Sequence, residues 1–313
     1  MVKANKNKRI LTGLLKILLF LALLWLFFNQ VKRIDWSGWN DFSLYNPFYL
    51  LCTILLIFVN WGFEWLKWRE VLLLSKVSAS SGVRLKSFLA GIITGLLTPN
   101  MLGNFIGRMF YFPRRNRPEI ILLTLFANAA QFLASIFFGL LALVWLGIRE
   151  PDFAWTQETF IGFTALILVV LSLLYFRFEH LPLNFLRNNK YVRKVAPMMK
   201  GSRTFRGRLL VFSFLRHATF SFQYWLLLKA FGLEVSLEWL GWIWQVFFWA
   251  TLIPSLWFGK LVVRESMALW ILSPLTGNPA VILFASVFLW IMNQAVPAAI
   301  GIPYLGKNNS QAV

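Results

Sequence analysis

The chain has 313 residues, of which 58% are hydrophobic, 18% aromatic and 14% charged. This composition and the long apolar runs exclude an ordinary soluble domain and predict an all-α polytopic membrane protein. The net charge is +19, and Cys52 is the single cysteine, which excludes a disulfide within the chain and a cysteine-cluster metal site.

The apolar runs predict six full membrane spans, each near the roughly 20 residues that a bilayer-crossing helix needs. In chain order they are 10–29, 47–66, 119–147, 159–176, 209–231 and 280–302. The first run follows four basic residues, as a signal peptide does, but its apolar part is too long and no small-residue cleavage site follows it. We therefore interpret it as a retained span.

Two further apolar stretches, 85–112 and 239–272, are interrupted by proline and glycine near the middle. The interrupting residues are Pro99 and Gly103 in the first stretch and Pro254 and Gly259 in the second. Proline lacks an amide donor and glycine tolerates unusual dihedral angles, so a helix can stop there and turn. Both stretches predict re-entrant helical hairpins, which lipid tolerates where other helices or a water-filled cavity satisfy the broken backbone.

The two hairpins are similar in sequence, because a glycine precedes an arginine by five residues in both: Gly103 and Arg108, Gly259 and Arg264. The spans that flank the first hairpin are predicted to run opposite to those that flank the second. The sequence thus predicts one integral membrane domain over 1–313 with an inverted repeat, its halves at about 47–147 and 209–302. Transporters of this kind place the substrate near the midplane, at broken helices. The alternative is a pair of interfacial segments with incidental glycines.

The basic residues are concentrated on one predicted side of the membrane. The segments 1–9, 67–86, 101–118 and 177–208 hold 4, 5, 4 and 9 Lys or Arg residues. The opposite segments, 30–46, 148–158, 232–238 and 273–279, hold 2, 1, 0 and 0. This positive-inside asymmetry predicts the cytoplasmic membrane, cytoplasmic termini and a large basic cytoplasmic loop at 177–208. It also favours anionic lipid over nucleic acid as a partner.

Two arginines inside apolar stretches predict a site for an anionic head group. An arginine at the bilayer centre costs roughly 2.5–3.5 kcal/mol, so Arg108 and Arg264 need partners or an interfacial position. Arginine binds phosphate through two parallel hydrogen bonds, and we expect Lys260 to assist and Glu265 to be a charge partner of Arg264. Arg108 is also close enough to Arg114 to reach the cytoplasmic surface, and this alternative stays open.

Other polar residues inside the predicted spans are candidates for the wall of the same cavity, although any one of them is more often a contact between helices. They are Glu64, Asn128, Gln131, Arg216, His217, Gln223, Asn293 and Gln294. Only their number argues for a cavity. No role is assigned to His217.

Enzyme signatures are scarce. The sequence has no HExxH motif, no Walker loop and no GxSxG motif, and it has only two histidines. We therefore expect no cofactor and no metal. An intramembrane enzyme with Glu64 or Glu265 as general base ranks last, because no nucleophile or metal set accompanies either carboxylate.

The hairpin motifs resemble those of a known family, the flippase-like transmembrane region of lysylphosphatidylglycerol synthetases and its stand-alone relatives. The stretch PNMLGNFIGRMFYF at 99–112 is similar to the family motif Pro-Gly-x-Leu-Gly-Gly-Asp-x-x-Arg-x-Tyr. FGKLVVRESMAL at 258–269 is similar to Gly-Gly-Leu-Gly-x-Arg-Glu-Ala, with Arg264 and Glu265 on the matching positions. The acidic position of the first motif is Phe105 here, and the inner glycine of the second is Val262, so coupling to an ion or proton through that acid is not implied.

The resemblance implies the membrane part alone, without the soluble domain that transfers the aminoacyl group. It implies flippase-like transport of an anionic phospholipid or a polyprenyl-phosphate-linked lipid. The alternative is an accessory subunit that holds a membrane glycosyltransferase or lipid synthase through the basic loop 177–208.

Overall fold

The computed structural model describes residues 25, 32, 44–98, 102–149, 158–178, 197–198, 202–253 and 259–304. Within these ranges all regular structure is helical and no strand occurs. Several predicted features lie outside the described residues: the span 10–29 apart from Trp25, most of the loop 177–208, Pro99 and Pro254.

The first half of the described chain begins with a long helix, α1, at Pro47–Ser75. The Asn46 side chain accepts a hydrogen bond from the Phe48 amide and caps its start, and Lys76, with a φ of 53°, ends it in the left-handed region. The predicted end at residue 66 was wrong. The helix continues through Lys67, which therefore lies inside α1 and is not a loop residue.

The first predicted hairpin is a pair of helices, α2 at Ser81–Leu96 and α3 at Asn104–Met109. Gly107 lets the two helices touch, because a Cβ there would lie 2.2 Å from the Ala90 carbonyl oxygen. Gly103 has an ordinary φ of −79°, so the predicted need for unusual dihedral angles was wrong there. The requirement is space, since a Cβ at Gly103 would lie 2.3 Å from the Thr98 side chain.

A short 3₁₀ turn at Arg114–Asn116 leads into α4 at Arg117–Arg149, and α5 follows at Glu158–Phe176. The second half contains α6 at Arg203–Ala230, α7 at Trp239–Leu252, α8 at Gly259–Thr276 and α9 at Pro279–Trp290. A π-helical segment at Ile291–Ala295 joins α9 to α10 at Val296–Gly301.

The turn predicted at 273–277 was placed too early. The helix α8 includes Pro274 and continues to Thr276. Gly277, with a φ of 66°, then reverses the chain, which an L side chain would oppose. The Asn278 side chain accepts a hydrogen bond from the Val281 amide and caps α9.

Four helical segments among the described residues are long and apolar enough to cross a membrane: Pro47–Ser75, Arg114–Arg149, Glu158–Phe176 and Pro279–Tyr304. These four agree with predicted spans. The 28-residue α6 lies where a fifth span was predicted, but five basic residues along it lower its hydropathy, and it is not among the four. Large apolar side chains such as Phe58, Phe163 and Leu166 are exposed, which is the pattern of a surface that contacts lipid.

The helices pack around a central pair, α1 and α6. The helix α2 packs against α3 and α10, and α7 packs against α4 and α8. Buried apolar residues form two large clusters, one around Trp68 and Leu123 and the other around Phe247 and Leu272. The first hairpin contributes to the cluster around Trp68, and the second contributes to the cluster around Phe247.

Candidate functional site

A cavity of about 410 Å³ lies between the two hairpins and the helices α1, α4 and α6. This volume is typical of a small-molecule site. Its wall includes Arg108 from the first hairpin, Lys260 and Arg264 from the second, and Asn293 from the π-helical segment. The two Pro- and Gly-interrupted stretches therefore contribute to one shared cavity.

Glu64 is the centre of the charge network in this cavity. Its carboxylate accepts hydrogen bonds from Arg108 at 3.0 Å and from Lys67 at 3.1 Å, and it lies 3.6 Å from Arg216. Lys67 is on the same helix, at the i,i+3 spacing that brings two side chains to one face. Arg108 and Arg216 come from α3 and α6, so a single carboxylate joins three elements.

Arg108 is directed into the interior and does not extend to the surface, because only 1% of it is exposed. Its guanidinium lies over the Trp68 ring, 4.8 Å from the centroid, and 6.0 Å from the Phe88 centroid. Its side chain also crosses Gly91, where a Cβ would lie 2.7 Å from Arg108 Cγ. The open alternative of a surface-seeking Arg108 is therefore wrong, and the charge lies where Glu64 and two aromatic rings stabilise it.

Gln131 links the basic side chains to α4. Its Oε1 accepts from Lys67 at 3.3 Å and from Arg216 at 3.2 Å. Its Nε2 donates to the Ser213 carbonyl oxygen on α6 at 3.4 Å. The amide oxygen is thus fixed between two cations and adds a neutral acceptor to the network.

The second hairpin contributes a separate pair of cations. Arg264 is 7% exposed, forms an ion pair with Glu265, and donates to the Ser286 carbonyl oxygen at 2.9 Å. Glu265 is fully buried behind Arg264 and is not part of the wall. Lys260 lines the cavity, and no hydrogen bond or ion pair joins its ammonium group to the described part of the chain.

The charges of this site do not balance. Among the described residues, the wall contains five basic side chains, Lys67, Arg108, Arg216, Lys260 and Arg264, and one acidic side chain, Glu64. When Glu265, which pairs with Arg264, is included with Glu64, the basic side chains exceed the acidic ones by three. Buried charges are expensive without counter-charges, so the arrangement favours an anionic occupant.

The rim of the cavity is apolar. Leu102 and Phe132 belong to the wall and are 49% and 37% exposed. Leu96, Leu261 and Trp290 also line it. A positively charged centre therefore meets an apolar outer surface, and this arrangement suits a molecule with a charged head and a hydrocarbon tail.

The chain matches a protein-family model over most of its length. The family model for the lysylphosphatidylglycerol synthase transmembrane region matches residues 13–301. The chain belongs to this family. The predicted resemblance is therefore confirmed, and the protein is a membrane protein whose family is a transmembrane region and not an aminoacyltransferase domain. No significant match was found among curated proteins or among solved structures.

The family motifs correspond to the basic parts of the cavity. Arg108, from the first motif, lines it, as do Lys260 and Arg264 from the second, whereas Glu265 supports Arg264 from behind. Gly103 is not on the wall and lies at a helix end, and Gly259 is the first residue of α8. Phe105, which replaces the acidic residue of the motif, is also not on the wall. This position therefore adds no negative charge to the cavity.

The other predicted polar residues fall into two groups. Those that line the cavity are Glu64, Asn128, Gln131, Arg216, His217, Asn293 and Gln294. Gln223 does not, since its Nε2 donates to the Thr53 carbonyl oxygen and joins α6 to α1. Asn128 exchanges two hydrogen bonds with Asn104 on α3, at 2.9 and 3.0 Å, and thereby holds the first hairpin against α4.

Asn293 and His217 have local partners of their own. Asn293 accepts a hydrogen bond from Asn60 on α1 and donates to the Leu289 carbonyl oxygen at 3.1 Å. His217 Nδ1 lies 3.4 Å from Ser135 Oγ, and its ring stacks on Phe138. Within the described ranges, no group of three His, Cys, Asp or Glu residues is arranged to hold a metal ion.

Lys67 is a charged residue of the cavity wall that the sequence analysis did not predict. The predicted span ended at residue 66, so Lys67 was counted among the loop charges of the cytoplasmic side. It is in fact 2% exposed and bonded to Glu64. The signal that identifies it is the i,i+3 spacing from Glu64, which places a carboxylate on the same helix face, since a lysine is seldom buried without a paired charge.

Proposed function

We propose that this protein moves an anionic lipid across the cytoplasmic membrane in a flippase-like manner. The substrate is an anionic phospholipid or a polyprenyl-phosphate-linked lipid. The observation that carries the proposal is the positive excess of the cavity beneath an apolar, exposed rim. A phosphate head group neutralises the basic side chains, and the hydrocarbon tail stays outside in lipid.

The scaffold of this proposal is an inverted repeat with two re-entrant hairpins and six spans. The packing pattern supports it, because several contacts within one half have a counterpart in the other. The hairpin α2–α3 packs against α10, and the hairpin α7–α8 packs against α4. The contact between α1 and α4 corresponds to the contact between α6 and α9. The contact between α1 and α6 joins the two halves and corresponds to itself. Such pseudo-symmetry provides two related halves that alternate around one central site.

In the proposed mechanism, the arginines and lysines replace the water that the phosphate loses. Arg108, Lys67 and Arg216 surround one part of the cavity, and Lys260 and Arg264 another. Charge-assisted hydrogen bonds to these groups offset the desolvation of the head group. Glu64 holds its three cations in place when the cavity has no substrate.

The test is a translocation assay in vesicles that contain the purified full chain. The probe is phosphatidylglycerol with a fluorophore on one acyl chain, and dithionite reduces the fluorophore in the outer leaflet only. We expect the rate of lipid exchange between the leaflets to exceed the rate in protein-free vesicles. In Arg216→Gln, which loses one charge-assisted contact, this rate should fall at least about tenfold. Arg149→Gln is the matched control, because Arg149 is exposed and pairs with Glu238.

If neither this probe nor a fluorescent polyprenyl phosphate crosses faster than in protein-free vesicles, the proposal fails. Equal rates in the parent and Arg216→Gln also contradict it, because the cavity would then have no part in transport. The accessory-subunit alternative would gain from either result.

A further inference from the structure

Resting on the proposed function, we infer that the preferred head group is a diphosphate, held by two adjoining basic subsites. The first subsite consists of Lys67, Arg108 and Arg216 around Glu64. The second consists of Lys260 and Arg264. One phosphate unit binds in each subsite, and the substrate is therefore a lipid with a diphosphate head group.

The two subsites differ in how their charges are already satisfied. In the first, Glu64 contacts all three cations, and Gln131 adds an acceptor for two of them. In the second, Glu265 neutralises Arg264, whereas Lys260 has no bonding partner among the described residues. A single phosphate at either subsite would leave the other with unneutralised positive charge.

The two subsites line one cavity of about 410 Å³. Lys260 lies within electrostatic range of both Arg216 and Arg264, so Arg216 connects the two groups.

The charge excess sets the number of phosphates. The excess is three, and the undescribed segments that interrupt the hairpins, 99–101 and 254–258, contain no acidic residue that would lower it. A phosphodiester carries one negative charge and leaves most of the excess in place. A phosphate monoester carries roughly 1.5 to 2 negative charges on a single phosphorus atom, whereas a diphosphate carries at least two and supplies acceptors on both phosphorus atoms. Buried uncompensated charge is costly, so the diphosphate is the better match.

The test compares three probes with one isoprenoid tail: farnesyl diphosphate, farnesyl monophosphate and farnesol. Their affinities for the purified full chain in mild detergent are measured by calorimetry. We expect the diphosphate to bind at least about tenfold more tightly than the monophosphate, because it gains one or more charge-assisted hydrogen bonds. Farnesol should show no measurable affinity for the cavity.

Variants at Lys260 locate the second subsite. Lys260→Met should lower the affinity for diphosphate by a larger factor than the affinity for monophosphate and so remove the preference, whereas Lys260→Arg should retain the preference. Lys229→Met is the matched control, because Lys229 lies over the Tyr49 and Trp225 rings and away from the cavity wall. The thermal unfolding midpoint without ligand confirms that each variant is folded.

The outcomes separate this inference from the proposed function. Equal affinity for the two phosphates, or an equal loss of both in folded Lys260→Met, overturns the diphosphate inference and leaves an anionic lipid as the substrate. If neither phosphate binds more tightly than farnesol, the cavity has no anion site, and the proposed function fails with it.

Discussion

Glu64 on α1 and Arg108 on α3 are 44 residues apart in the chain and 3.0 Å apart in the structure. Both lie in apolar stretches, where an unpaired charge would oppose folding in lipid. Their pairing positions Arg108 in the cavity and fixes the first hairpin against the central helix pair. The same carboxylate holds Lys67 and Arg216, so the arrangement of the basic wall depends on one acidic residue.

Replacing Glu64 should therefore destabilise the protein. Glu64→Gln leaves three neighbouring cations without a counter-charge, and removing one partner of a buried pair costs roughly 3–5 kcal/mol. The free energy of unfolding in detergent measures this loss. Glu238→Gln is the control, since Glu238 forms an exposed pair with Arg149, and its change should stay below about 1 kcal/mol.

A phosphate ligand should compensate for the lost carboxylate. Farnesyl diphosphate should raise the unfolding midpoint of Glu64→Gln more than that of the parent, because it restores negative charge among the same three cations. A Glu64→Gln protein as stable as the parent would show that Glu64 is not the counter-charge of this network.

Gly91 should be sensitive to the addition of one methyl group. A Cβ at this position would lie 2.7 Å from Cγ and Nε of Arg108 and 2.9 Å from the Asn104 carbonyl oxygen. Gly91→Ala therefore displaces Arg108 or separates α2 from α3, at a cost of roughly 1–3 kcal/mol. Thermal unfolding and farnesyl diphosphate affinity should both decrease.

Gly62→Ala is the matched control for this substitution. Gly62 is also inside a helix, and a Cβ there has no neighbour within 4 Å. Alanine should be neutral or should stabilise α1 by about 0.5–1 kcal/mol. If Gly91→Ala behaved like Gly62→Ala, the close approach of Arg108 to α2 would be refuted.

The reciprocal pair Asn104 and Asn128 should show energetic coupling. Each side chain donates to the other, so removing either leaves the other without its partner. A double-mutant cycle with Asn104→Ala, Asn128→Ala and the double variant should give a coupling of about 0.5–3 kcal/mol in the free energy of unfolding. Strictly additive losses would mean that the first hairpin is not held to α4 through this pair.

The inverted repeat makes a topological prediction. In a Cys52→Ala background, single cysteines are placed at Ser78, in the turn between α1 and α2, and at Leu275, near the turn between α8 and α9; both positions are exposed. A membrane-impermeant maleimide should label Ser78→Cys from the cytoplasmic side and Leu275→Cys from the outside. Labelling of both from one side would contradict the inverted arrangement.

The sequence predicted the broad architecture well, because apolar runs and helix-breaking residues are local signals. Within the described part of the chain, the four helical segments that satisfy the requirements for a membrane span all overlap predicted spans. Helix ends were less predictable, since they depend on caps and packing. The end of α1 at Ser75 depends on Lys76 in the left-handed region, and α8 continues through Pro274.

The candidate site was predictable in its residue types and not in its pairings. Arg108, Arg264 and most of the polar residues in the spans were identified because charge is conspicuous in apolar sequence. That Glu64 pairs with Arg108 could not be inferred, because no local spacing relates residues 44 positions apart. The roles of Lys67 and Gln131 likewise depend on how α1, α4 and α6 meet.

The lipids that co-purify with the protein test the central claim most directly. The parent, an Arg216→Gln, Arg264→Gln double variant, and an Arg149→Gln, Arg208→Gln control are purified in mild detergent and analysed by mass spectrometry. The control removes two exposed ion pairs, with Glu238 and with Glu70, and leaves the cavity unchanged. We predict that one phosphate-bearing lipid is enriched in the parent and the control and lost from the folded double variant. The same bulk lipid mixture in all three would contradict a head-group site in the cavity.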